Sequence, residues 1–166
     1  MKQPPSQPII GWHIASWPPL AWLETVIKAI ALIIGISALI AALAGGAWAL
    51  PGGLRLAQMI VLGILSLGLA AAIADRLRGR EIVAMIFVVF NNLGHWGMVV
   101  ALAAQTGPGA ALVAFAALML AGDLVKLVFL KTSGFTVRDT PRAVLYGLTS
   151  FYVTGYALLL LLEWLR

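Results

Sequence analysis

Residues Ala29 to Leu50 read AIALIIGISALIAALAGGAWAL, a run without a single charged side chain. At about 1.5 Å per residue, a helix over this run covers the roughly 30 Å of hydrocarbon in a bilayer. Just upstream, Pro18 and Pro19 suit the first turn of a helix. Glu24 and Lys28 follow one turn apart, a spacing that predicts an interfacial ion pair. The first helix is therefore placed over about 20–48. Ala47-Trp48-Ala49 resembles a signal-peptide cleavage site. The apolar run, however, exceeds the ~15 residues of a signal-peptide core, so it is read as a membrane span.

The rest of the chain repeats the pattern. Of its 166 residues, 62% are hydrophobic and 10% are charged, where a soluble domain carries roughly 25% charged residues. Polar side chains are too few to cover so much apolar surface in water, and lipid removes that need. Pro51-Gly52-Gly53 marks a turn, and a second helix is expected over about 54–74. A third is expected over about 82–104 and a fourth over about 110–130. The short Thr106–Gly109 turn between them implies an antiparallel hairpin. Thr140 followed by Pro141 reads as an N-cap and first helical residue, opening a fifth helix over about 141–164. The fold class predicted is an all-α integral membrane protein, a single bundle of about five transmembrane helices over 20–166. Residues 1–19, with five prolines and Trp12 and Trp17, are expected to form an arm lying on the membrane surface.

Lys and Arg set the expected orientation. Lys2, Lys28, Arg76, Arg78, Arg80, Lys126, Lys131, Arg138 and Arg142 fall on one side of a five-helix path, and only Arg55 and Arg166 on the other. This asymmetry predicts a cytoplasmic N-terminus and an outer C-terminus in the cell (inner) membrane. The net charge of +5 is thereby explained by topology, and no nucleic-acid partner is expected. The loops carrying Arg76, Arg78 and Arg80, and Lys131, Arg138 and Arg142, are expected to meet anionic lipid headgroups on the cytoplasmic side. The chain has no cysteine, which removes disulfides, thiolate metal sites and cysteine nucleophiles.

Small residues recur at three- or four-residue spacing. They include Ser37, Ala41, Gly45 and Ala38, Ala42, Gly46 in the first helix, and Gly94, Gly97, Ala101 in the third. Such stripes let helices approach closely in lipid. They serve packing within the chain, or contact with a second copy or another membrane subunit.

One polar cluster interrupts the apolar spans. Asn91, Asn92 and His95 lie in mid-span of the third helix, and Asp123 and Lys126 in the fourth. Polar groups at this depth are costly and mark function by default. Counting outward from the Gly107 turn places Asn91 and Asp123 at one depth, so an Asn91 or Asn92 contact to Asp123 is expected, with Lys126 as the alternative partner. Tyr152 and Tyr156 of the fifth helix share a face and are candidates to extend the network. Three readings follow: a register-fixing structural cluster; a polar cavity for an ion, proton or small ligand; or His95 as axial ligand to a haem or chlorin. No cofactor is called for by anything else in the sequence.

No catalytic or metal-ligand constellation is present, since the other histidine, His13, lies in the arm. The expected function is a non-catalytic accessory or assembly subunit, or a small homo-oligomer, and not an enzyme. The alternative is a small permease, channel or proton-coupled carrier using Asp123, Asn91 and His95.

Overall fold

The computed structural model describes residues 18–79, 82–106, 109–133 and 141–166. Residues 1–17 of the N-terminal arm, Arg80, Arg138 and Thr140 lie outside the described residues; Pro18 and Pro19, placed in the arm from sequence, instead cap and open the first helix. The described chain is helical: α1 (Pro19–Gly45), α2 (Gly53–Arg78), α3 (Ile82–Ala103), α4 (Gly109–Ser133) and α5 (Arg142–Trp164). All five helices are long and apolar enough to cross a membrane.

The helix ends follow local chemistry. α1 stops at Gly45, earlier than its apolar run, where Gly45 and Gly46 lower helix propensity. The extended segment beyond it is tied down by the Ala49 amide, which donates to the Ala103 carbonyl at the end of α3 (3.0 Å). α2 runs a turn beyond its last apolar stretch, through Asp75 to Arg78. Arg76 and Arg78 fall in its last turn, where cations meet the negative end of the helix dipole. α4 likewise continues to Ser133, whose hydroxyl donates to the Phe129 carbonyl (2.7 Å). Pro141 caps α5 with φ −58° and ψ 139° and precedes the first helical residue, Arg142.

The helices do not pack in chain order. Among the described residues each helix packs side by side with two others, giving the closed circuit α1–α3–α2–α5–α4 and back to α1. α3 thus sits between α1 and α2, and α1 between α3 and α4. Small residues explain the α1–α3 seam. A Cβ on Gly35 would meet the Gly94 carbonyl oxygen at 2.5 Å, and one on Gly97 would overlap the Gly35 carbonyl. Further along the same seam, Ala42 packs with Ala101 and Ala104, and Gly46 abuts Ala104. Close backbone approach supplies dispersion energy, which must drive helix association where the surroundings are equally apolar.

The circuit encloses one apolar core of Ala31, Leu62, Leu65, Met98, Leu102, Leu112, Phe115, Met119, Tyr156 and Leu159. Outward the surface is equally apolar: Ile33, Ile40, Leu43 and Leu67 are 63–67% exposed. An apolar inside and an apolar outside are what a bundle solvated by lipid requires. One end of the bundle carries Arg76, Arg78, Lys131 and Arg142, and is called the basic end below. The opposite end carries Trp48 and Trp164.

Candidate functional site

Polar side chains gather at three levels of the bundle. Toward the basic end, the Lys28 ammonium on α1 lies 2.7 Å from Glu24 and 2.5 Å from Asp123 on α4. The Asp123 side chain is only 6% exposed and that of Lys28 15%. Lys126 stands 4.0 Å from Glu24 with a more exposed side chain. Two acids and two bases thus balance one another, which is how charge persists at this depth. The Lys28 stem lies along Gly122, where a Cβ would come within 2.9 Å of it. A glycine one residue before the acid therefore lets the lysine reach Asp123.

At mid-span, His95 of α3 and Tyr156 of α5 meet in the centre of the circuit, 0% and 1% exposed. His95 Nδ1 lies 2.8 Å from the Asn91 carbonyl, and Nε2 lies 2.8 Å from the Tyr156 hydroxyl. A carbonyl only accepts, so Nδ1 carries the proton and Nε2 accepts from Tyr156. This fixes the neutral tautomer from geometry. Phe115 of α4 meets the imidazole edge-on, with centroids 5.1 Å apart. Tyr152, one turn from Tyr156 and stacked with it at 6.2 Å, donates to the Leu65 carbonyl of α2 (3.2 Å). The two tyrosines therefore tie α5 to α2 and α3 at successive turns. Among the described residues, three buried oxygens here have no partner: Ser66 Oγ, Asn91 Oδ1 and Asn92 Oδ1.

At the opposite end, Arg55 of α2 donates to Glu163 of α5 (2.9 Å). Gln58 donates to the same carboxylate at 2.8 Å and accepts from Arg55 at 3.0 Å. Arg166 adds a second cation 3.1 Å from Glu163. This cluster closes the α2–α5 seam, as the Lys28 cluster closes the α1–α4 seam.

The structure distributes the sequence-predicted residues differently from the expectation. Asn91 and Asn92 do not hold Asp123; Lys28 does. The reason is topological: α3 and α4 are joined by a short turn but are not ring neighbours, and α1 stands beside both. Lys126 is directed to Glu24 on α1 rather than to Asp123 as its main partner. His95 has both ring nitrogens engaged and no exposed surface, so it presents no free nitrogen to an axial-ligand position. Among the described residues no three His, Asp or Glu side chains group to hold a metal. Of the candidate headgroup contacts, Arg78, Lys131 and Arg142 are exposed at the basic end and Arg76 is half-buried there. Arg142 donates to the Leu130 carbonyl at the end of α4 (2.9 Å).

Lys28, Gln58, Arg55 and Glu163 were not singled out as site residues from sequence, apart from the Glu24–Lys28 spacing. A signal for them exists in charge and topology together. Lys28 starts one span and Asp123 ends another on the same side, and Arg55 and Glu163 stand in that relation on the other side.

A groove of about 360 Å³ opens between α1, the end of α3 and the start of α4, lined by Ile33, Ile34, Ser37, Ala41, Thr106 and Ala111 among others. Its lining contains neither Asp123 nor His95. Comparison with known protein families, characterised proteins and solved structures finds no match to this chain.

Proposed function

We propose that this protein is a non-catalytic component of a cell membrane, acting as an accessory or assembly subunit or as a small homo-oligomer. The observation that carries this reading is the Lys28–Asp123 ion pair. A carrier needs its membrane carboxylate open to water or substrate at some stage, and here the carboxylate is held by a lysine in a closed seam. His95 is similarly occupied on both nitrogens. The groups that would do chemistry are spent on holding helices together.

The chain sits in the inner membrane with its N-terminus in the cytoplasm and its C-terminus outside. Support comes from the nine-to-two distribution of basic residues. The basic end then faces anionic headgroups, where each exposed cation contributes about 1 kcal/mol. A reporter fused after Arg166 is expected to be active outside the cytoplasm; activity inside overturns the orientation.

The subunit reading is tested by purification of the full chain in mild detergent. A second membrane subunit at fixed stoichiometry, or a defined homo-oligomer, is the expected result. A monodisperse monomer that moves an ion across proteoliposomes, and loses this with Asp123→Asn, overturns it. That outcome is the second reading, a small permease or proton-coupled carrier. Its support is the buried Asn91–His95–Tyr156 hydrogen-bond chain at mid-depth.

A further inference from the structure

The oxygens of Ser66, Asn91 and Asn92 lie in the span of the bundle, and among the described residues they are the buried side-chain polar atoms that lack a partner. Ser66 is 1% exposed. Buried polar atoms without partners are rare, and each asks for a reason. Their placement supplies one.

The three residues share a level. Tyr152 and Tyr156 stand one turn apart on α5, and they reach Leu65 of α2 and His95 of α3 respectively. Leu65 is therefore about one turn nearer the basic end than His95. Asn91 is also one turn from His95 in that direction, since His95 Nδ1 bonds to its carbonyl. Ser66 follows Leu65 and Asn92 follows Asn91.

Ser66 and Asn92 also share a seam, beside the core face that carries Asn91. Tyr152 lies over Gly68 of α2, which marks the side of α2 that faces α5. Ser66 is two residues away, about 200° round the helix. Being buried, it faces the other neighbour of α2, which is α3. By the same count, Gly94 marks the side of α3 that packs on α1, and Asn92 is about 200° from it. Asn92 is half-buried and so lies on the α2 side. Asn91 is on the core face with His95.

We infer that Ser66, Asn91 and Asn92 form an internal water site in the α2–α3 seam at mid-membrane depth. The donor set decides the guest. Two carbamoyl oxygens accept, and one hydroxyl accepts and donates, so the guest must donate hydrogen bonds. It must also be neutral, because the site has no carboxylate of its own and the mid-span acid Asp123 is held by Lys28. A cation here would be uncompensated in hydrocarbon. Water meets both conditions, and buried waters commonly make about three bonds to such otherwise unpaired groups. The site continues the Tyr156–His95–Asn91 chain across the bundle to α2. It stands independently of the subunit reading.

The test is water-edited solid-state NMR on the full chain, labelled at asparagine and tryptophan, in perdeuterated lipid. The side-chain amides of Asn91 and Asn92 are expected to receive magnetisation from water. The Trp96 indole, 45% exposed toward lipid on the same helix, is expected to stay dry. Asn92→Leu should abolish the transfer to Asn91. Ser66→Ala, a small change that the fold tolerates, should weaken the transfer to both amides. The inference is overturned by dry asparagine amides in the native protein. It is equally overturned by transfer to Trp96 at the same rate, or by transfer unchanged in Ser66→Ala. A high-resolution map with Ser66 bonded directly to Asn92 and no atom between them also overturns it.

Discussion

Removing Lys28 should cost far more than neutralising Asp123, although the two form one ion pair. The asymmetry comes from who remains. In Lys28→Met, Asp123 is left 6% exposed with no other described cation in contact, while Glu24 keeps Lys126 at 4.0 Å. An uncompensated charge in a buried pair costs about 3–5 kcal/mol. In Asp123→Asn, Lys28 still has Glu24 at 2.7 Å, and the amide oxygen still accepts a hydrogen bond. The loss is then about 1–2 kcal/mol, the difference between a charge-assisted and a neutral bond. The double change Lys28→Met with Asp123→Asn should recover most of the Lys28→Met loss, because the orphaned carboxylate is gone. Steric trapping in bicelles measures these free energies directly. Equal single losses that add in the double variant would refute the reasoning, since they would mean that neither group depends on the other.

Three further outcomes follow from named contacts. Gly35→Ala forces a methyl against the Gly94 carbonyl, so the α1–α3 seam must part; a loss of about 1–3 kcal/mol is expected in the same assay. Tyr156→Phe leaves His95 Nε2 without a donor in the core and should cost about 1–3 kcal/mol, read with an imidazole ¹⁵N shift showing a free Nε2. Glu163→Gln removes the charge that Arg55 and Arg166 share at the opposite end. It should raise protease access to the C-terminal turn while leaving the His95 signals unchanged; altered His95 signals would show that the two levels are coupled.

The five spans were legible because hydrocarbon thickness imposes length and apolarity on each helix separately. Ala29–Leu50 alone carries that information. Lateral order was not legible, because periodicity says which residues face inward but not which helix they face. The Gly107 turn fixes the relative depth of Asn91 and Asp123, yet depth without neighbourhood led to the wrong partner for Asp123. The α1–α3 seam was half readable: Gly94, Gly97 and Ala101 form a visible stripe, and so do Ala38, Ala42 and Gly46. Gly35, which makes the closest approach, stands outside the stripe. The His95–Tyr156 bond depends on α3 and α5 meeting across the core, a relation no local pattern encodes.

The circuit order has a consequence for how the chain is made. α1 and α2 leave the ribosome first, but they do not pack side by side: α3 comes to stand between them. Until α4 is synthesised, Lys28 has only Glu24, and the α1 edge of the growing sheet of helices is open. α5 enters last and closes the gap between α2 and α4, bringing Glu163 to Arg55. Each shorter chain is therefore a partial arc that lacks at least one of these ion pairs. A nascent chain halted after Ala103 would lack the α4 carboxylate that pairs with Lys28.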